Sequence, residues 1–104
     1  MTDDQMALVA RALAHPARVR IVRLLAAQAE CRGQEVFSEL PLAQSTISEH
    51  LRVLKEAGLV QSHPVGTAMV YCLVASVLDE FNQAIGEIAA VVTECGPRQG
   101  ACDE

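Results

Sequence analysis

The stretch "ELPLAQSTISEHLRVLKEAGL", from Glu39 to Leu59, constrains the chain more than any other. Pro41 cannot continue a helix from the residues before it. From Ala43 onward Ile47, Leu51 and Leu54 recur at i, i+4 and i+7, which places them on one buried stripe of a helix. Gly58 supplies the stop. Just upstream, "EVFSEL" predicts a short third helix that ends at Pro41. A short helix, a tight turn at Pro41-Leu42 and a longer helix form the pattern of a DNA-reading helix-turn-helix. The face opposite the stripe carries Gln44, Ser45, Ser48, Glu49 and Arg52, with Thr46 and His50 on its flanks. Gln pairs with adenine edges, Ser and Thr are tolerant donors, and Arg reaches guanine or phosphate. A purely structural helix with a polar exterior is the plainer reading. The concentration of small polar residues in the first turn favours readout, with DNA contacts expected from Gln44, Ser45, Thr46, Ser48, His50 and Arg52.

The elements on either side are equally patterned. Met6, Val9, Ala10 and Leu13 predict an amphipathic helix over residues 3 to 14. His15-Pro16 ends it and begins another, with proline at the first helical position. After Gly58, "VQSHPVGTAMVYCLV" gives two β-rich runs around a Pro-Val-Gly turn, which predicts a hairpin. Val77, Phe81, Ile85, Ile88 and Val92 then form a final helical stripe, stopped by Gly96-Pro97. The fold class is mainly α, more fully α+β, with a two-stranded hairpin. Residues 1–94 are expected to form one DNA-binding and dimerisation domain, and 95–104 a flexible tail containing cysteine. Little else in a domain of 104 residues is left to cover the final stripe, and an uncovered apolar patch marks an interface.

The net charge of −5 at first disfavours a nucleic-acid partner, but its distribution does not. Seven cations against four acids leave +3 between residues 11 and 55, while one cation against nine acids leaves −8 elsewhere. A basic central block suits a duplex, because local charge decides phosphate contact. Three aromatics and no Trp argue against recognition by stacking on single strands. No apolar run approaches the ~18 residues of a membrane span, and the acidic start lacks the basic region of a signal peptide. The expected location is the cytoplasm, where thiols stay reduced. The chain has no Ser/His/Asp set, no phosphate loop and no Cys-x-x-Cys, so an enzyme is not expected and no catalytic residue is assigned.

The segments "ALAHPARVRIVRLL", "ELPLAQSTISEHLRVLKEAGLV" and "VGTAMVYCL" together resemble the ArsR/SmtB winged-helix repressors over about residues 7 to 93. The resemblance implies a homodimer formed by the first and last helices that binds double-stranded operator DNA without a cofactor. The helix over 43–56 would enter the major groove, and the hairpin would be the wing. It also implies derepression by an inducer, often a metal or metalloid ion. Several family features are missing. The arsenite site Cys-x-Cys-x-x-Cys would fall on Arg32, Gln34 and Phe37. A zinc site on the last helix has Asp79 but no His over residues 77 to 93. Where many members carry basic residues, the wing tip has Gly66-Thr67-Ala68, with His63 nearby.

The four cysteines then carry the question of the inducer. Cys72 follows Tyr71 in a strand and reads as a core residue. Cys95 and Cys102 stand on a polar tail with six residues between them, Gly96, Pro97 and Gly100 included, so both thiolates can converge on one soft ion. This layout is similar to that of family members that sense arsenite or antimonite after the last helix. The expected ligand set is Cys95 and Cys102, with Cys31 as a third, and the expected inducer As(III) or Sb(III). Two alternatives stay open: a redox or reactive-sulfur sensor through a Cys31–Cys95 or Cys95–Cys102 bond, and a Cd(II) or Zn(II) sensor. A protein–protein contact module of the same fold would show no salt-dependent binding to duplex DNA.

Overall fold

The computed structural model describes residues 1–27, 31, 33 and 37–92. In chain order its elements are α1 (Asp3–Ala12), α2 (Pro16–Ala26), α3 (Gln44–Glu56), β1 (Val60–Val65), β2 (Ala68–Leu73) and α4 (Ala75–Val91). Four helices around one antiparallel hairpin make a winged helix-turn-helix.

Local chemistry explains the boundaries. The Thr2 side chain accepts from the Gln5 N–H at 3.1 Å while Gln5 Oε1 accepts from the Thr2 N–H at 2.8 Å, a capping box that opens α1. The helix stops at Ala12, short of residue 14, because Pro16 forces His15 into extended backbone (φ −143°, ψ 128°). His15 then caps α2, its Nδ1 accepting the Ala17 N–H at 3.0 Å. Part of the short helix expected over residues 35–40 lies outside the described residues. The part described, residues 37–40, is a turn closed by the Leu40 N–H on the Phe37 carbonyl at 3.0 Å.

The exit from α3 is a complete Schellman motif. The Leu59 N–H donates to the Leu54 carbonyl and the Gly58 N–H to that of Lys55, both at 3.0 Å, with Gly58 at φ +82°. Val60 pairs with Leu73 and Val65 with Ala68, so the hairpin turn falls on Gly66-Thr67. This corrects the expected Pro-Val-Gly turn: Pro64 and Val65 belong to β1, and Gly66 at φ +64° takes the first turn position.

The core gathers Val9 and Ala12 of α1, Ile21 and Leu25 of α2, Phe37, Leu40, the Ile47, Leu51 and Leu54 stripe, Leu59, Val60 and Tyr71. Phe37 meets Tyr71 edge-on, with ring centroids 5.9 Å apart. α4 contributes least. Val77, Leu78 and Phe81 pack against the core, but no residue of the helix is buried, and Ile85, Ile88, Val91 and Val92 are exposed.

At Gly58 a Cβ would find its nearest neighbour, Val77 Cγ2, at an unstrained 3.8 Å, so the glycine is required by its positive φ and not by space. Gly58→Ala is expected to cost about 1–2 kcal/mol, read as a lower urea midpoint with an unchanged m value.

Candidate nucleic-acid interface

The periodicity of α3 sorts its side chains into two faces. Ile47, His50, Leu51 and Leu54 are buried. Gln44, Ser45, Thr46, Ser48, Glu49 and Arg52 are exposed, so five of the six expected DNA contacts share the solvent side of one helix. No side chain caps the N-terminus at Ala43, whose carbonyl accepts the Thr46 and Ile47 N–H groups at 3.0 Å.

His50 is the correction. It is 8% exposed, and its Nδ1 lies 3.2 Å from Nη1 of Arg18. Its ring sits 4.6 Å from that of His15, centroid to centroid. Position 50 is three residues beyond Ile47 and one before Leu51, on the inner side of the stripe, so the imidazole faces Arg18 and His15 and not the solvent side that carries the other five. Arg18 only donates, and Nδ1 must therefore accept, which requires neutral His50 with its proton on Nε2. Burial comes first, then the electrostatic influence of His15 and Arg18, in holding its pKa below the ordinary imidazole value, with Glu49 opposing them.

Arg18 also donates from Nε to the Ala12 carbonyl at 2.7 Å and from Nη2 toward the Arg11 carbonyl at 3.5 Å. One guanidinium thus satisfies the end of α1 and holds α3. Sequence periodicity had placed Arg18 only in a basic block. The signal that could have singled it out is its position three residues after His15, on the inward side of α2.

Arg52 is exposed but engaged. It bonds Glu49 through Nε at 3.1 and 3.2 Å and through Nη2, and Glu56 through Nη1. The hydrogen bond from Arg52 holds the Glu49 carboxyl below the usual carboxylate range, and Glu49 raises Arg52 in turn. With these side chains 54–62% exposed, such pairs are weak, and a phosphate or guanine can exchange for the carboxylates.

Cys31 and Cys72 are joined in a disulfide with their Cα atoms 4.6 Å apart. Cys72 is buried in β2, as expected of a core residue, while Cys31 is exposed. In this state Cys31 offers no thiolate to a metal, and its expected place as a third ligand would require that bond to be reduced first. No local pattern signals the bond, because 41 residues separate the two cysteines. Cys95 and Cys102 lie outside the described residues. Among the described residues no group of three or more His, Cys, Asp or Glu is placed to hold a metal ion, and no helix is long and apolar enough to cross a membrane.

Residues 15–62 match the model of the arsR family of bacterial regulatory proteins, a span that holds α2, α3 and the start of β1. An HTH-type transcriptional regulator of Mycobacterium tuberculosis, Rv0081, is 35% identical over 82 residues, covering 79% of this chain and 72% of the relative. This chain belongs to the ArsR family. It is accordingly a DNA-binding transcriptional regulator and not an enzyme. Among solved structures, the homodimeric winged helix-turn-helix DNA-binding domain of an ArsR-type regulator of Mycobacterium bovis is 30% identical, with a TM-score of 0.66 and coverage of 86% of this chain and 87% of that one. A protein described as a possible transcriptional regulator for arsenical resistance is 28% identical, with a TM-score of 0.69, and the match covers 99% of this chain and 100% of the other.

The lowered pKa of His50 makes folding pH-dependent. The unfolded chain takes up this proton at about pH 6.5, whereas the folded chain resists it, so stability is full above that value and declines as pH falls through it. The urea midpoint of wild type is expected to fall between about pH 7.5 and 5.5, a window above the carboxylate range, and to fall less in His50→Gln.

Proposed function

We propose that this chain is a homodimeric repressor that holds operator DNA and releases it when thiolates near its C-terminus capture As(III) or Sb(III). The observation that carries the DNA-reading part is the exposed set Gln44, Ser45, Thr46, Ser48 and Arg52 on a helix whose other face is buried. In the major groove Gln44 is suited to an adenine edge, the hydroxyls of Ser45, Thr46 and Ser48 to base edges or phosphates, and Arg52 to guanine or phosphate. Glu49 and Glu56 beside Arg52 repel phosphate, which lowers affinity for arbitrary sequence and leaves discrimination to the bases.

Dimerisation is supported by the uncovered stripe Ile85, Ile88, Val91 and Val92 on α4, with Leu8 of α1 also exposed, and by the homodimeric relative. A twofold axis through these helices would present two α3 helices to half-sites about one turn of DNA apart. Ile88→Glu places a charge on the stripe and is expected to shift the chain from dimer to monomer in sedimentation equilibrium, with its far-ultraviolet dichroism retained.

For the inducer, the support is the affinity of soft ions for sulfur and the match over 99% of this chain to a protein described as a possible transcriptional regulator for arsenical resistance. Cys95 and Cys102 form the core of the proposed site, and Cys31 joins them only once its bond to Cys72 is reduced. Because ligand and DNA favour different dimer geometries, capture weakens DNA binding by about 5- to 150-fold. The test is anisotropy of a labelled duplex from upstream of the chain's own gene, bound to phosphine-reduced protein and then titrated with arsenite. Salt-sensitive binding followed by release is expected. Normal release from Cys95→Ser/Cys102→Ser protein defeats the tail site, and binding indifferent to salt defeats the operator reading.

A further inference from the structure

We infer that Cys31 and Cys72 form a reversible thiol–disulfide switch, opened and closed from the Cys31 side, that sets the affinity of this domain for duplex DNA. The inference rests on the DNA-reading role of α3 and is independent of the tail thiols. Its first support is topological. Cys31 precedes the turn at Phe37, and Cys72 lies in β2 opposite Gln61 of β1. The covalent loop between them contains all of α3, all of β1 and the turn at Gly66-Thr67. Every element expected to meet DNA is therefore inside one ring, closed where its ends come within 4.6 Å at Cα.

The second support is the unequal exposure of the two sulfurs. Cys72 is 7% exposed and sits beside buried Tyr71, whereas Cys31 is exposed. A solvent reagent therefore meets Cys31 first. With hydrogen peroxide as oxidant, the Cys31 thiolate attacks one peroxide oxygen. The O–O bond breaks, hydroxide leaves and takes a proton to become water, and Cys31 becomes a sulfenic acid. The Cys72 thiolate then attacks that sulfur, the S–O bond breaks and a second water leaves. The thiol pair has given two electrons to the peroxide. In the reverse direction a small thiolate attacks Cys31, the S–S bond breaks and Cys72 departs as the thiolate. A second small thiol resolves the mixed disulfide, frees Cys31 and leaves as the oxidised small disulfide.

The closed ring holds α3 and the wing in one arrangement before DNA arrives. Opening it returns freedom that binding must remove again, so the reduced form binds more weakly. Because the four cysteines of the chain include Cys95 and Cys102, the Cys95→Ser/Cys102→Ser protein retains only Cys31 and Cys72.

In that background, the protein is equilibrated in glutathione buffers of stated ratio. Free thiols are counted by gel shift with maleimide-polyethylene glycol, and Kd is measured by anisotropy on the upstream duplex. No thiols in the oxidised form, two in the reduced form, and a reduced Kd weaker by at least about fivefold are expected. Adding Cys31→Ser, a change at an exposed position, should remove the redox response and leave the reduced-form Kd at every ratio. Failure of the bond to form, equal Kd in both forms, tighter binding when reduced, or a response that persists in the Cys31→Ser protein each overturns the switch. Binding by neither form overturns the operator reading, and the coupling with it, while the thiol count still reports whether the bond forms.

Discussion

The guanidinium of Arg18 joins three helices at one point. It takes up the Ala12 carbonyl at the end of α1 and lies beside that of Arg11, it belongs to α2, and it meets the Nδ1 of His50 on α3. A helix held only by Ile47, Leu51 and Leu54 can roll on its apolar stripe at small cost, since hydrophobic contact is not directional. A hydrogen bond to a ring nitrogen is directional. With His50 pointed inward, Ser48 and Arg52 must point outward, so the rotation of the reading face about its own axis depends on one contact on its far side. His15 adds to the same corner by capping α2 and lying against the His50 ring.

Much of this architecture was legible in the sequence. The proline before α2, the stripe of α3, its glycine stop and the stripe of α4 each state a local rule that packing obeys, so the helix-turn-helix, the hairpin after it and the outward polar set followed from spacing, while the family resemblance implied the winged arrangement. What escaped depended on tertiary contact. His50 lies on the border between the two faces of α3, and only the presence of Arg18 behind it draws it inward. The hairpin turn falls on Gly66-Thr67 and not on the expected Pro64-Val65-Gly66 because the pairing of Val65 with Ala68 leaves room for two residues, and Gly66 supplies the positive φ. Cys31 and Cys72 are distant in sequence and meet only when β2 returns toward the end of α2. The tail cysteines, which carried the sequence argument for an inducer, lie outside the described residues.

Thiol chemistry therefore divides into two sets with different physical character. Cys31 and Cys72 are held by the fold around the reading elements, where a change of bonding acts on the conformational freedom of α3 and the wing. Cys95 and Cys102 follow the helix whose apolar face is left uncovered, where a bound ion would act on the relation between two copies. Under the two proposals one set would bear on the internal order of each reading head and the other on the spacing between heads, and a regulator built this way would combine two chemical signals on one operator.

Pro64 has a different consequence. A two-stranded sheet leaves both of its edges open, and exposed Val65 and Met69 near the tip make this hairpin an inviting template for another strand. Proline within β1 has no N–H to offer an incoming chain, so a ladder cannot run unbroken along that edge. The residue that looks out of place in a strand thereby guards the β1 edge of the wing against continuous pairing with another chain.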